Sequence, residues 1–208
     1  MLFDLHVHSC ISPCSNLSLE DIIHQAQKKG LDGLCITDHD TMAAGQLVVE
    51  GVQENGLLVI IGQEYTTQQG DFLLFGPYED LPPGLKAEKL LNHVLATGGA
   101  AIAAHPFRSW RSIDPALIRS GLCSIIEQQN GRNTVWENFQ TQTWIKSYPL
   151  FPVVGSDAHS LEELGRFPVR FPSPIHSRMD LVSALISGQG MPVLAARQDF
   201  SLPLASCA

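Results

Sequence analysis

A chain of 208 residues, 44% hydrophobic and 16% charged, is long enough for one sizeable core and too apolar to be disordered. Its net charge of -8 disfavours wrapping of long nucleic acid, while small anions remain available as ligands wherever divalent cations offset that charge locally. No apolar run approaches the ~18 residues of a membrane span, Asp4 and His6 come too early for a signal peptide, and the odd set of cysteines at 10, 14, 35, 123 and 207 argues against a disulfide framework; one cytoplasmic domain over 1–197 with a dispensable tail over 198–208 is expected.

In chain order, Phe3 to His8 reads as a strand, and the period of two sends His6 and His8 to the same face. Ser18 with Asp21 predicts a helix start, Leu19, Ile22, Ile23 and Ala26 its buried face, and Gly30 its left-handed cap. Gly33 to Thr37 is a short buried strand with Cys35 in the core, and Thr41 to Asn55 is expected to be helical up to Gly56. Leu57 to Ile61 is uniformly apolar, as in a strand covered on both faces. Thr66 to Gly76 should form a hairpin returning through Phe72 to Phe75. A helix over 85–96 turns Ala87, Leu90, Leu91, Val94 and Leu95 inward, with His93 pointing away.

Ala100 to Ala104 is the next strand, stopped by Pro106 so that His105 sits at its mouth. A short helix over 113–119, a strand over 123–126 ending at Glu127, and a helix over 134–146 follow. Trp136 and Trp144 in that helix are eight apart, which favours core packing. Phe151 to Val154 is a strand, Phe167 to Phe171 a last strand and Met179 to Ile186 a last helix. His24 and His176 read as surface histidines.

The informative feature is what ends the strands: His6 and His8, Asp38-His39, Glu64, His105, and Asp157 with His159. Ligands entering from nearly every strand favour a barrel over an open sheet, which would collect them near its switch point. Each residue alone is ordinary, since a lone H-x-H is often a buried edge pair and a lone strand-tip glutamate is usually solvated. One metal site explains all of them together.

The ordered motifs Asp4-Leu5-His6-Val7-His8, Thr37-Asp38-His39-Asp40, Gly62-Gln63-Glu64, Ala104-His105-Pro106, Glu127 with Asn130-Gly131-Arg132, and Gly155-Ser156-Asp157-Ala158-His159 closely resemble the PHP (polymerase and histidinol phosphatase) family over about 3–166. The resemblance implies a distorted (β/α)7 TIM-like barrel, two or three divalent metals at the C-terminal ends of its strands, and phosphoester hydrolysis. Carried over by motif, it implies that His6, His8, Glu64 and Asp157 hold a first metal, that Glu64 bridges to a second shared with His105, and that His39 and His159 belong to a third. Two stretches depart from the family pattern. The loop after the histidine pair reads Cys10-Ile11-Ser12-Pro13-Cys14 where many relatives carry an acidic residue or histidine, and the hairpin stretch Gly70 to Leu74 lacks a histidine. Cys14 and Asp71 are the substitutes at hand, against the more ordinary readings of a structural cysteine and a solvated turn aspartate.

Mixed imidazole and carboxylate donors suit Zn²⁺, Mn²⁺ or Fe²⁺ better than Ca²⁺. Arg108, Arg132 and Arg166 follow strand ends and are candidate phosphate clamps, Arg132 and Arg166 being favoured. His159 and Asp38 are candidate proton shuttles, His159 only if no metal claims it. The leading expectation is a metal-dependent phosphoesterase acting on a small phosphorylated metabolite or short nucleotide. The alternatives are another metal-assisted hydrolysis, as of an amide, and a metal- or phosphate-binding regulatory module whose catalytic cluster has lapsed.

Overall fold

A computed structural model describes residues 1–193; the expected tail and the last residues of the expected domain lie outside them. In chain order the elements are β1 (Leu2–Val7), α1 (Leu19–Lys28), β2 (Gly33–Ile36), a 3-10 turn (Ala43–Gln46), β3 (Gly51–Val52), β4 (Leu58–Ile61), β5 (Gln63–Thr67) and β6 (Gly70–Phe75). The second half runs α2 (Ala87–Ala96), β7 (Ala100–Ala103), α3 (Pro115–Arg119), β8 (Ile125–Asn130), α4 (Val135–Ser147), β9 (Phe151–Gly155), β10 (Val169–Arg170), α5 (Arg178–Ile186) and β11 (Met191–Pro192). Among these, no helix is long and apolar enough to cross a membrane.

The strands form two mixed sheets, ordered β11-β10-β1-β2-β4-β3 and β5-β6-β7-β8-β9. Backbone bonds tie the sheets together at two seams. At one, His8 N–H donates to Ala158 O and Ala158 N–H to His6 O; at the other, Glu64 N–H donates to Asp38 O and Asp40 N–H to Glu64 O. Both seams fall just past the C-terminal ends of parallel strands, where the polar residues cluster. The sheets are not parallel throughout: β5, β6 and β7 pair antiparallel, as do β1 and β10.

Strand residues alternate between two apolar clusters. Leu58 and Ile60 of β4 pack with Leu73 and Phe75 of β6 and with Leu181 and Leu185 of α5, while Val59 and Ile61 pack in the other cluster with Phe72 and Leu74, under Ile22 of α1 and Leu90 of α2. Burial on both faces is why β4 reads as an unbroken apolar run. α1 starts at Ser18, whose Oγ accepts from Asp21 N–H, and is followed by Gly30 at φ +78°. α4 opens with a capping box in which Thr134 and Glu137 exchange bonds.

Four expectations need correction. The helix expected over 41–55 is the 3-10 turn and the edge strand β3; Gly51 at φ +130° cannot continue a helix, and Leu47, Val49 and Val52 are exposed, so no buried face forms. Leu95 lies on the solvent side of α2 and Trp136 on the solvent side of α4; only Trp144 of the two tryptophans packs against the core. The last strand shrinks to Val169–Arg170, and β11 pairs with it. The described cysteines 10, 14, 35 and 123 are free, with Cys35 buried as expected.

Candidate metal centre

β1 delivers both histidines to one point. His6 Nε2 lies 3.0 Å from His8 Nε2, 3.3 Å from Glu64 Oε2 and 3.5 Å from Asp157 Oδ1. His8 Nε2 is 3.2 Å from Glu64 Oε2 and 3.3 Å from Asp157 Oδ1. The four residues are essentially fully buried. His105 Nε2 meets the other oxygen of Glu64 at 2.7 Å and stands 3.9 Å from Asp71 Oδ2, so Glu64 faces two neighbouring groups. A third group gathers Cys14, His39 and His159 around His8.

Backbone strain supports the arrangement. Asp40, His105 and Asp157 are non-glycine residues in the left-handed region, at φ 54°, 29° and 53°. Each costs about 1–3 kcal/mol and persists only where surrounding bonds over-determine it. Here those bonds are present: Arg108 Nη2 donates to Asp157 Oδ2, the Glu127 carboxylate accepts from His105 N–H, and Asp40 Oδ1 accepts from Thr66 N–H.

The electrostatics are those of a cation site. Burial opposes a charge on His6, but Asp157, Glu127 and Glu64 outweigh it and hold the imidazolium well above its ordinary pKa. Burial likewise disfavours ionised Glu64 and Asp157, yet His6 and the bonds from neighbouring histidines hold both carboxyls well below the usual range. The cluster therefore wants positive charge among ionised carboxylates.

The donor chemistry fits a bound divalent ion. His6 Nδ1 is engaged by Glu127 Oε1 at 2.8 Å and His8 Nδ1 by Ser12 Oγ at 3.3 Å, which leaves both Nε2 atoms facing one locus. The separations of 3.0 to 3.5 Å match those of tetrahedral donors, about 3.4 Å apart around an ion ~2.1 Å from each. His39 Nδ1 lies 3.1 Å from Glu64 Oε2, and the buried Nδ1 of His105 has no hydrogen-bond partner among the described residues.

All seven residues expected to bind metal thus converge. The remaining candidates separate. Asp38 is fully buried and accepts from Ser9 N–H, Ser9 Oγ and Ser12 Oγ, so it anchors the loop after β1. Arg132 is half exposed, and among the described residues its side chain reaches only Glu163, at 3.4 Å. The side chain of Arg166 is exposed and makes no hydrogen bond among the described residues. Arg108, the less favoured arginine, is the one at the site: its Nη2 lies 2.8 Å from both Asp157 Oδ2 and Asn130 Oδ1. Two ordinary readings also fail. Asp71 is buried beside His105 instead of solvated, and Cys14 is exposed beside His159 instead of structural. Glu127, read as a strand end and as part of the motif with Asn130-Gly131-Arg132 but given no role, holds His6.

A family model described as PHP domain matches residues 4–135, and one described as PHP-associated matches 135–189. The chain belongs to the PHP domain family. Among its relatives is a protein of Caldicellulosiruptor bescii described as a probable phosphatase, 26% identical over 199 residues, covering 78% of this chain and 82% of that one. The fold is shared with PsfC from Pseudomonas syringae PB-5123, at a TM-score of 0.74 and 20% identity, over 94% and 91% of the two chains. It is also shared with the lesion-specific endonuclease PfuEndoQ from Pyrococcus furiosus, at a TM-score of 0.68 and 18% identity, over 93% of this chain and 58% of that longer one.

Proposed function

We propose that this PHP protein is a metal-dependent phosphoesterase that hydrolyses a small phosphorylated metabolite or short nucleotide. The observation that carries the reading is the convergence of three donor groups, sharing Glu64 and His8, in a chain of this family. His6, His8, Glu64 and Asp157 would hold one ion, Glu64, Asp71 and His105 a second, and the group around His159 a third, with Zn²⁺, Mn²⁺ or Fe²⁺ matching the donors. Divalent ions held there supply Lewis acidity towards a phosphoryl oxygen and make water acidic enough to attack near neutral pH.

The chain's own residues do the rest. Arg108 secures Asp157 and, at the rim of the cluster, offers its guanidinium to a phosphate. Asp38 acts as a positioning residue through Ser9 and Ser12. A cavity of about 400 Å³ beside Asp71, walled by Thr66, Thr67, Trp110 and Arg111, has the size to take the organic part of a small ester. We further read the two sheets, bonded at both seams, as a distorted barrel with the site at the strand ends. The exposed free thiols of Cys10 and Cys14 favour the cytoplasm as compartment.

The likeness to an endonuclease concerns the fold, and the net charge of -8 keeps small substrates ahead of long nucleic acid. The test is phosphate release by metal-loaded protein from a panel of monoesters and diesters, with His105→Ala alongside. Turnover that His105→Ala abolishes supports the reading. Silence across the panel overturns it, and cleavage of amides alone would transfer the site to a different hydrolysis.

A further inference from the structure

Cys14 lies in the loop between β1 and α1, just after Pro13, in the stretch where the family pattern places a ligand that this sequence lacks. The fold carries it to a residue 145 positions away: its Sγ stands 3.0 Å from His159 Nε2. His159 is set up to meet it, because its Nδ1 donates to Asp157 O at 2.8 Å and Nε2 is left with the lone pair. His39 and His159 flank the His8 ring, each with its ring centroid 4.5 Å from it. The donor atoms of Cys14, His39, His159 and His8 all lie within 4.8 Å of one another.

His8 is already committed. Its Nδ1 is engaged by Ser12 Oγ and its Nε2 sits among His6, Glu64 and Asp157. Cys14, His39 and His159 therefore form a three-donor face of their own. His39 Nδ1 lies 3.1 Å from Glu64 Oε2, so His39 stands between the inner group and this face. Cys14 and His39 both reach solvent, so the fourth side is open.

We propose that Cys14 is a thiolate ligand which, with His39 and His159, makes the outer site a two-imidazole, one-sulfur site that selects Zn²⁺ or Co²⁺ over Mn²⁺ and Mg²⁺. This rests on the metal-dependent reading above. The reasoning is ligand softness: sulfur ligation suits zinc-like ions, whereas hard oxygen-seeking ions gain little from it. On binding, the S–H bond breaks, the sulfur lone pair goes to the ion, and the proton leaves to solvent. Three protein donors with an open position are also the pattern of zinc sites that admit a substrate oxygen.

The test is reconstitution of chelator-stripped protein with Co²⁺ alone. Wild type should show the near-ultraviolet sulfur-to-cobalt charge-transfer band; Cys14→Ser should lose the band and one metal equivalent, while Cys10→Ser keeps both. Circular dichroism establishes that the variants are folded. As a check that needs no variant, Zn²⁺ should protect Cys14, but not Cys10, from iodoacetamide, read by peptide mass. A band that is missing in wild type or unchanged in Cys14→Ser overturns the proposal, as does alkylation of Cys14 indifferent to Zn²⁺. Phosphate release measured in parallel separates the two readings: turnover without the band sinks the thiolate ligand alone, and the band without turnover sinks the phosphoesterase alone.

Discussion

His6 Nδ1 stands 2.8 Å from Glu127 Oε1, a buried carboxylate that belongs to none of the three donor groups. The other oxygen of Glu127 accepts from His105 N–H and Asn130 Nδ2, so one side chain braces two ligand-bearing strands. Its carboxylate makes Nδ1 the protonated nitrogen of His6 and leaves Nε2 for the ion. Glu127→Gln can turn an amide N–H towards Nδ1 and reverse that tautomer. Metal affinity should fall about 10- to 100-fold, the usual cost of losing such a partner, measured by competition with a chromophoric chelator. Unchanged affinity would show that Glu127 only fills space.

The arginines can be ranked by experiment. Arg108→Ala breaks the 2.8 Å bond to Asp157 and removes a guanidinium that touches the cluster, so kcat/KM should drop by roughly 10²-fold, in line with losing one charge-stabilising donor. Arg166→Ala should stay within about twofold, as expected for an exposed side chain without a hydrogen-bond partner among the described residues. Equal losses for the two would put Arg166 back at the site.

Glu137 offers a test of stability that does not touch the donors. Burial works against its charge, but bonds from Thr134 and Ser109 hold its pKa down to about 2, against 4.5 ordinarily. A carboxyl lowered on folding stabilises the fold above its unfolded value, and that contribution is lost as pH falls from about 4.5 towards about 2. Glu137→Gln should cost on the order of 1–2 kcal/mol at neutral pH, the scale of a helix cap with added bonds. Urea unfolding of both proteins should show that gap narrowing as acid is added; a gap constant with pH would assign the loss to shape rather than charge.

Chelation is the fourth test. Ions that bind only the folded chain at 100 times their Kd add about 2.7 kcal/mol per site. For a chain of this size that corresponds to roughly 5–10 °C in Tm, read by scanning calorimetry with and without chelator. A midpoint insensitive to chelator and to added Zn²⁺ would mean that the cluster holds no ion in solution.

Much of the site was legible because strand periodicity and strand ends are local: β1 sends out His6 and His8, and proline after His105 stops β7. What the sequence left open depends on contacts between distant segments. Asp71 and Cys14 were substitutes at hand by position, against more ordinary readings, and their setting comes from β6 lying antiparallel to β7 and from the Cys14 loop meeting His159. Arg108 and Arg166 look alike in sequence, since nothing local fixes which way a loop arginine turns. The helix expected over 41–55 failed for a local reason, the left-handed Gly51, that an apolar pattern does not reveal.

The seams give the centre a mechanical meaning. His6 and His8 lie on one side of a seam and Asp157 on the other, as do His39 and Glu64 at the second seam. An ion bridging such a pair acts as a rivet between sheets that only a few backbone bonds otherwise join there. Amide exchange at Ala158, Glu64 and Asp40 should then report ion occupancy more sensitively than exchange in β7 or β8, which makes those three amides a gauge of how far the halves of the molecule part when the rivets are drawn.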